Sequence, residues 1–237
     1  MAQSYGPKSI TTDGLVFAID ADNSRCYPGT GTTIESLADM TNTQTGSMTD
    51  LTWVDKTGTA KGKSFYWNET SNEGMQINNT DQLATNSEMT VELWFNIEAP
   101  ISQDMVLLVG DTGDSGVNIK FQLERIYLFN SDSTTGGVYN GSSFTGNVWQ
   151  HVAICITGSA TADQKFYNNG TLKTFLTNGN TGADFAKPTS DPIYIGKDHS
   201  GGNPFDGYIS ELRTYNRVLT ESEILHNFEV QRDKYGV

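Results

Sequence analysis

Cysteine is almost missing from this chain: its 237 residues include two, Cys26 and Cys155. That excludes the disulfide scaffold on which small secreted domains depend. Cys155 lies in an apolar run (residues 151–156), where a thiol behaves as a small buried hydrophobe, and Cys26 lies in a turn-rich stretch. A bridge between them would require a tertiary coincidence, and two reduced thiols suit assembly in a cytoplasm. Basic residues are scarce as well. Fifteen Lys and Arg stand against 28 Asp and Glu, a net charge of −13. The basic footprint that nucleic acid demands is therefore missing, and so is the patch that docks on anionic membranes. No apolar run reaches the length of a membrane span. Residues 1–13 are polar, without the charged segment and apolar stretch of a signal peptide. Histidine is limited to His151, His199 and His226, too scattered for an H-E-x-x-H zinc motif; neither a G-x-S-x-G elbow nor a P-loop occurs.

What the chain does have is glycine (24 residues), abundant Asn and Thr, and 36% hydrophobic residues. That mixture supplies a core and many turns, as a run of short strands needs. The clearest strand covers residues 88–97. Met89, Val91, Leu93, Phe95 and Ile97 alternate there with Glu88, Thr90, Glu92, Trp94 and Asn96. A period of two assigns the first set to a core and the second to a face open to water or ligand. Ile119, Phe121 and Leu123 alternate likewise with Asn118, Lys120, Gln122 and Glu124. Further strands are expected at residues 15–20, 65–67, 75–77, 105–109, 126–129, 149–156, 165–168 and 193–196, roughly ten to thirteen in all. Residues 35–50 lack periodicity and read as a long loop. No Pro- and Ser-rich linker divides the chain, and no repeat of 20–50 residues is present. The expected architecture is all-β: a single domain over residues 13–237, with two antiparallel sheets packed face to face. Residues 1–12 form an N-terminal arm suited to anchoring on a partner.

The last segment departs from strand patterning. Thr220 can cap a helix, with Glu223 three residues on reaching back to it as a capping box, and Leu219 and Ile224 fit a hydrophobic staple. One short C-terminal helix is expected over about residues 220–233, with Arg217 pinning it through a carboxylate, Glu211 being the first candidate.

Three chemistries are open to such a chain. Hard cations take carboxylate and carbonyl oxygens, so Asp111 and Asp114 in G-D-T-G-D-S-G, and Asp198, Asn203 and Asp206 in K-D-H-S-G-G-N-P-F-D-G, are candidate calcium ligands, with Asp20 and Asp22 a third cluster. Asp and Gly also populate turns for backbone reasons alone. Sugars are bound by an aromatic ring under their apolar face, surrounded by carboxylates and amides. Trp94 with Glu92, Asn96 and Gln122 has that composition, and Tyr139 and Phe144 in the Gly-rich loop of residues 134–147 suit its rim. The alternative is that Trp94 packs beneath a covering segment or a neighbouring subunit. Glycoside hydrolysis is disfavoured. Glu88 and Glu92 lie on one side of a strand about 13 Å apart, farther than either stereochemical course allows.

Five segments occur in a recognisable order: T-V-E-L-W-F (residues 90–95), W-Q-H-V-A (149–153), F-Y-N-N-G (166–170), I-Y-I-G (193–196) and F-D-G-Y-I-S-E-L-R-T-Y-N-R-V-L-T (205–220). Together they resemble the laminin-G-like, concanavalin A-like jelly-roll family. The opening D-G-L-V-F-A-I-D-A-D-N-S-R-C-Y-P-G-T-G-T (residues 13–32) is similar to the start of such proteins in tailed-bacteriophage virions. The resemblance implies a two-sheet antiparallel jelly-roll sandwich without catalytic activity. It would be assembled in a host cytoplasm and displayed on capsid or tail. Its implied partners are other virion proteins, a second copy of itself as a homo-oligomer, and host-surface or environmental glycans. A purely structural virion protein and an atypical polysaccharide-degrading enzyme are the alternatives. Calcium is the one cofactor the family suggests.

Overall fold

The computed structural model describes residues 9–38, 44–69, 72–78, 88–99, 104–109, 117–122, 125–129, 136–139, 145–157, 164–173, 175–177, 192–198 and 202–237. Its strands in chain order begin with β1 (Leu15–Asp20), β2 (Thr33–Glu35), β3 (Thr45–Thr49), β4 (Thr52–Asp55), β5 (Lys63–Asn68) and β6 (Gly74–Ile77). They continue with β7 (Glu88–Ile97), β8 (Asp104–Val109), β9 (Val117–Gln122), β10 (Arg125–Phe129), β11 (Gly136–Tyr139) and β12 (Gln150–Thr157). The last are β13 (Lys165–Asn168), β14 (Thr171–Lys173), β15 (Phe175–Thr177), β16 (Ile193–Ile195) and β17 (Asp206–Tyr215), followed by helix α1 (Glu221–Tyr235). One sheet has the order β14-β13-β12-β7-β17-β5-β4, with β1 also paired to β17. The other runs β15-β11-β10-β9-β8-β16-β6-β3-β2, and every described pairing is antiparallel. The all-β sandwich with one terminal helix stands as the sequence implies.

The alternating residues of β7 do face the core. Met89, Val91, Leu93, Phe95 and Ile97 pack with Val152, Ile154 and Ile156 of β12 and with Val117, Ile119 and Phe121 of β9 in one cluster. Strand β17 breaks simple alternation. Its register shifts between Ile209 and Glu211, so that Ile209 opposes Phe95 and Leu212 opposes Leu93, both on the core side. The extra residue of this bulge turns Glu211, Arg213 and Tyr215 together to the opposite face.

That opposite face departs from expectation. From Met89 to Ile97 every residue of β7 is buried, because α1 lies across the outer side of this sheet. Ile224, Asn227, Phe228 and Tyr235 form the buried stripe of the helix, against Ala153, Cys155, Tyr167 and Tyr215 at one end and Trp94 and Trp149 at the other. Each large apolar side chain so covered stabilises the docking by roughly 1.5–3 kcal/mol. The helix opens on the capping box of Thr220 and Glu223 and closes on Gly236, whose φ of 73° is the left-handed conformation that glycine adopts without penalty. It therefore runs two residues past 233.

Other expectations change. Residues 35–50 include strand β3, in which buried Gly46 and Met48 alternate with exposed Thr45, Ser47 and Thr49, too short a pattern to stand out in sequence. Residues 136–139 of the Gly-rich stretch form β11 rather than loop. Arg217 does not meet Glu211: its guanidinium holds both oxygens of Glu223 at 2.6 and 3.0 Å and an oxygen of Asp13 at 3.1 Å. The described part of the N-terminal arm lies on the helix. Thr11 N donates to Asn227 Oδ1 (2.8 Å), and Tyr215 Oη donates to Thr11 O (3.0 Å). Cys26 and Cys155 are buried free thiols, and burial raises them to about 12 and about 11.

Candidate functional site

Under the helix, the outer face of the first sheet carries a charged network. The Glu211 carboxylate accepts from Gln231 Nε2 (2.6 Å), Lys234 Nζ (2.6 Å) and Tyr235 Oη (2.8 Å), all from α1, and from Arg213 beside it. Burial opposes its charge, but Arg213 and Lys234 outweigh burial and hold it down to about 2. Glu92 sits 3.6 Å from Arg213 Nη1 and accepts from Asn227 Nδ2 at 2.8 Å; burial nevertheless pushes it up to about 7. His151 lies between Trp94 and Phe228 with neither ring nitrogen hydrogen-bonded, and burial, then the Arg213 charge, lowers it to about 3. It is thus a neutral packing ring. Trp94 is 0% exposed. Its indole stacks on Tyr235 (3.9 Å, 5°) and lies near Phe228 (5.8 Å, 20°), and its Nε1 donates to Gln231 Oε1 at 2.9 Å.

The expected sugar platform is therefore taken apart. Trp94 and Glu92 are sealed by the chain's own helix, which is the covering segment that sequence left open as the alternative. Gln122 is on β9, in the other sheet, alternating with core residues Ile119 and Phe121. Tyr139 belongs to β11 of that sheet, paired with Ile126; its side chain, and Phe144 altogether, lie outside the described residues.

The calcium candidates are also redistributed. Asp198 Oδ1 accepts from Gly202 N (2.6 Å), Asp198 Oδ2 accepts from Asn203 Nδ2 (3.2 Å), and Asn203 Oδ1 accepts from Lys120 Nζ (3.3 Å). These oxygens close a turn and meet an ammonium group. Asp20 and Asp22 face lysines: Asp22 Oδ2 is 2.6 Å from Lys56 Nζ and 2.9 Å from Lys234 Nζ, and Asp20 Oδ1 is 3.7 Å from the latter. Among the described residues no group of three or more His, Cys, Asp or Glu is placed to hold a metal. Asp111 and Asp114 lie outside them.

Where the helix stops, the sheet face opens into a cavity of about 240 Å³, lined by Thr57, Asn96, Asn147, Trp149, Tyr235 and Val237 among others. It is smaller than the roughly 300–1,000 Å³ of most small-molecule sites, and suits one ring rather than a long ligand. Its wall is set by backbone. Asn147, left-handed at φ 63°, donates its N–H to Ile97 O (2.7 Å), fixing the loop that delivers Trp149. Trp149 Nε1 donates to Thr57 O at 3.1 Å. Asn96 is 5% exposed; its Nδ2 donates to Thr57 Oγ1 (3.0 Å) and its Oδ1 has no partner. With Nδ2 engaged by Thr57, the amide leaves its carbonyl oxygen as a buried acceptor without a partner among the described residues.

Beside this cavity a row of tyrosines runs along the sheet. Cross-strand register places Tyr66 opposite Tyr208 and Tyr208 opposite Asn96, one row over β5, β17 and β7. The two half-buried tyrosine rings are 4.7 Å apart, and Tyr208 is 6.3 Å from Trp149. The next row in phase holds Asp206 and Glu98, whose strands are joined by Glu98 N donating to Asp206 O at 2.9 Å. Asp206, offered as a calcium ligand, thus belongs to this edge; burial, then Glu98, Glu69 and Glu73, raises it to about 6. Tyr208 rises to about 12, through burial and then Glu98, to which it is hydrogen-bonded. Of the described members of the expected sugar-binding set, Asn96 is the one that lines the opening. Trp149, Tyr66, Tyr208 and Glu98 were not singled out. The phase of Asn96 and Glu98 was readable in sequence, but which strands flank them was not.

Comparisons with known proteins agree with this architecture. Comparison with curated protein sequences gives no match. Among solved structures, domain 4 of AbnA, a GH43 extracellular arabinanase from Geobacillus stearothermophilus, solved with arabinotriose, superposes with a TM-score of 0.62 at 19% identity, covering 91% of this chain and 98% of that one. The binding domain of Paraclostridial Mosquitocidal Protein 1 gives 0.64 at 18%, covering 91% of this chain and 52% of that one. A mutant of Trypanosoma rangeli sialidase displaying trans-sialidase activity gives 0.64 at 18%, covering 97% of this chain but 35% of that one. At these identities the likeness is one of fold. A laminin-G family model described as "Concanavalin A-like lectin/glucanases superfamily" matches residues 68–225, and it is to this family that the chain belongs.

Proposed function

We propose that this protein is a non-enzymatic glycan-binding jelly roll whose ligand enters at the cavity beside Trp149. The observation that carries this reading is the Asn96 amide, buried and short of a partner, in a wall built from Trp149 and Tyr235 and extended by Tyr208 and Tyr66. Aromatic faces for the apolar side of a sugar and an amide for its hydroxyls are what carbohydrate recognition requires. Structures of similar fold include a domain solved with arabinotriose and a toxin's binding domain, which accords with recognition. A role on a bacteriophage capsid or tail, in decoration or adhesion, is the setting we propose; its support is the similarity of residues 13–32 and of the Y-N-R-V-L segment to such proteins.

The test is a glycan array probed with wild type and with the Tyr66→Ala/Tyr208→Ala variant, in millimolar calcium and again in EDTA. Binding that survives EDTA and fails in the variant is expected, since no Asp or Glu side chain lines the cavity. No bound glycan on a broad array would overturn the reading. Glu98 and Asp206 on adjacent strands favour hydrolysis as a second reading, because glycosidases use two nearby carboxyls; release of reducing ends from a bound glycan would establish it.

A further inference from the structure

The charge around this opening says which glycans fit it. We infer that the ligand is an amino sugar with a free ammonium group, such as a glucosamine residue of a partly de-N-acetylated polysaccharide, held with its ring toward Trp149 and its ammonium against the Glu98 carboxylate, beside the Tyr208 ring. The inference rests on the glycan-binding reading above and narrows it. Four carboxylate side chains converge at this end of the sheet through backbone contacts. Glu98 N donates to Asp206 O (2.9 Å), Glu69 N donates to Phe205 O (3.3 Å), and Glu73 Oε2 accepts from Asn68 N (2.5 Å), Asn68 being opposite Asp206. Beside them lies the paired Tyr66 and Tyr208. A ring face next to a carboxylate attracts cations by quadrupole and by charge together. Independently of the acids, the unpartnered Asn96 Oδ1 on the cavity wall is an acceptor that a donor on the sugar ring can reach from the opening. Burial first, and then the neighbouring acids, raise Asp206 and Tyr208, in keeping with the acidic character of this edge. A net charge of −13 adds long-range attraction for a polycationic glycan and repels acidic ones.

Calorimetry with glucosamine tetrasaccharide and its fully N-acetylated counterpart at pH 6 decides the matter. The ammonium form should bind about tenfold more tightly, and Glu98→Gln, which retains an acceptor for Tyr208, should remove most of that preference. Equal or tighter binding of the N-acetylated form, or a preference unchanged by Glu98→Gln, overturns the inference while leaving glycan binding intact. Equal binding of spermidine overturns it by showing that the sugar ring is not read. If neither tetrasaccharide binds and the array yields only neutral or acidic glycans, the inference falls alone; if the array yields none, it falls together with the proposed function.

Discussion

Replacing Trp94 separates a structural indole from a ligand-binding one. The ring stacks on Tyr235 at 3.9 Å, contacts Phe228 and donates to Gln231, so three residues of α1 rest on it. Trp94→Ala removes that support and leaves a void too enclosed to collapse, at a cost of about 3–5 kcal/mol. For a domain of this size, where 1 kcal/mol shifts the melting temperature by roughly 2–4 °C, Tm should fall by about 6–20 °C. Trp94→Phe keeps the stack and loses the donor. Gln231 Oε1 still accepts from Arg213 Nη2 at 2.6 Å, so no buried acceptor is stranded and the cost is about 1–2 kcal/mol. Thermal unfolding by circular dichroism, with glycan binding measured on the same preparations, checks both. Trp94→Phe should bind glycans as wild type does. A Trp94→Phe protein with unchanged Tm and no binding would refute the placement of this ring under the helix.

Two further outcomes follow from the helix and its buried charges. Thr220→Ala removes the hydroxyl that accepts from Glu223 N and should lower stability by about 1 kcal/mol, read from the urea midpoint; an unchanged midpoint would show that the bidentate contact of Glu223 with Arg217 fixes this end unaided. The pH dependence has three parts. His151, at 6.5 unfolded and about 3 folded, contributes stability that is complete above pH 6.5 and lost as pH falls to 3. Glu211, depressed to about 2, contributes above pH 4.5 and loses it toward pH 2, whereas Glu92, raised to about 7, contributes below pH 4.5 and loses it as pH rises to 7. Between pH 6.5 and 4.5 the His151 loss and the Glu92 gain oppose each other. His151→Phe should therefore turn a nearly flat profile into a gain of stability as pH falls there, and should make the fall between pH 4.5 and about 3 shallower; an unaltered urea-midpoint profile would contradict a buried neutral histidine.

The fold was legible where one side chain's environment follows from its neighbours in sequence. The ten-residue alternation of β7 and the Thr220–Glu223 capping box are local patterns, and each appears in the structure. What sequence could not convey was which face receives a third layer. The outer residues of β7 look like a solvated face because Glu92 and Asn96 are polar. Glu92 is polar because Asn227 on the helix above it needs a partner, and Asn96 meets Thr57 where the helix stops. Likewise the bulge at Ser210 inverts the phase of β17 midway, so Arg213 and Tyr215 share a face with Tyr208 only after two residues are spent on one. The place of Trp149 in the opening depends on where α1 terminates, more than eighty positions on.

That termination is itself set by the buried charges. Glu211 accepts four hydrogen bonds, three of them from Gln231, Lys234 and Tyr235, which occupy the last two turns of α1. A buried ion pair adds little net stability over apolar packing of the same shape, because desolvation offsets attraction. A carboxylate matched to three donors on one helix does, however, discriminate among registers. A helix slid by one residue would take Lys234 from Glu211 and leave that buried carboxylate with Arg213 alone, at about 1.5–3 kcal/mol for each charged hydrogen bond lost. The register so fixed brings Tyr235 over Trp94 at 3.9 Å and within 5.3 Å of Trp149, with Gly236 turning beside Thr59. Had the helix docked on hydrophobic contacts alone, the aromatic wall of the opening would have no fixed position. The charged network, which resembles an active site by composition, is in this reading the device that holds the binding wall in place.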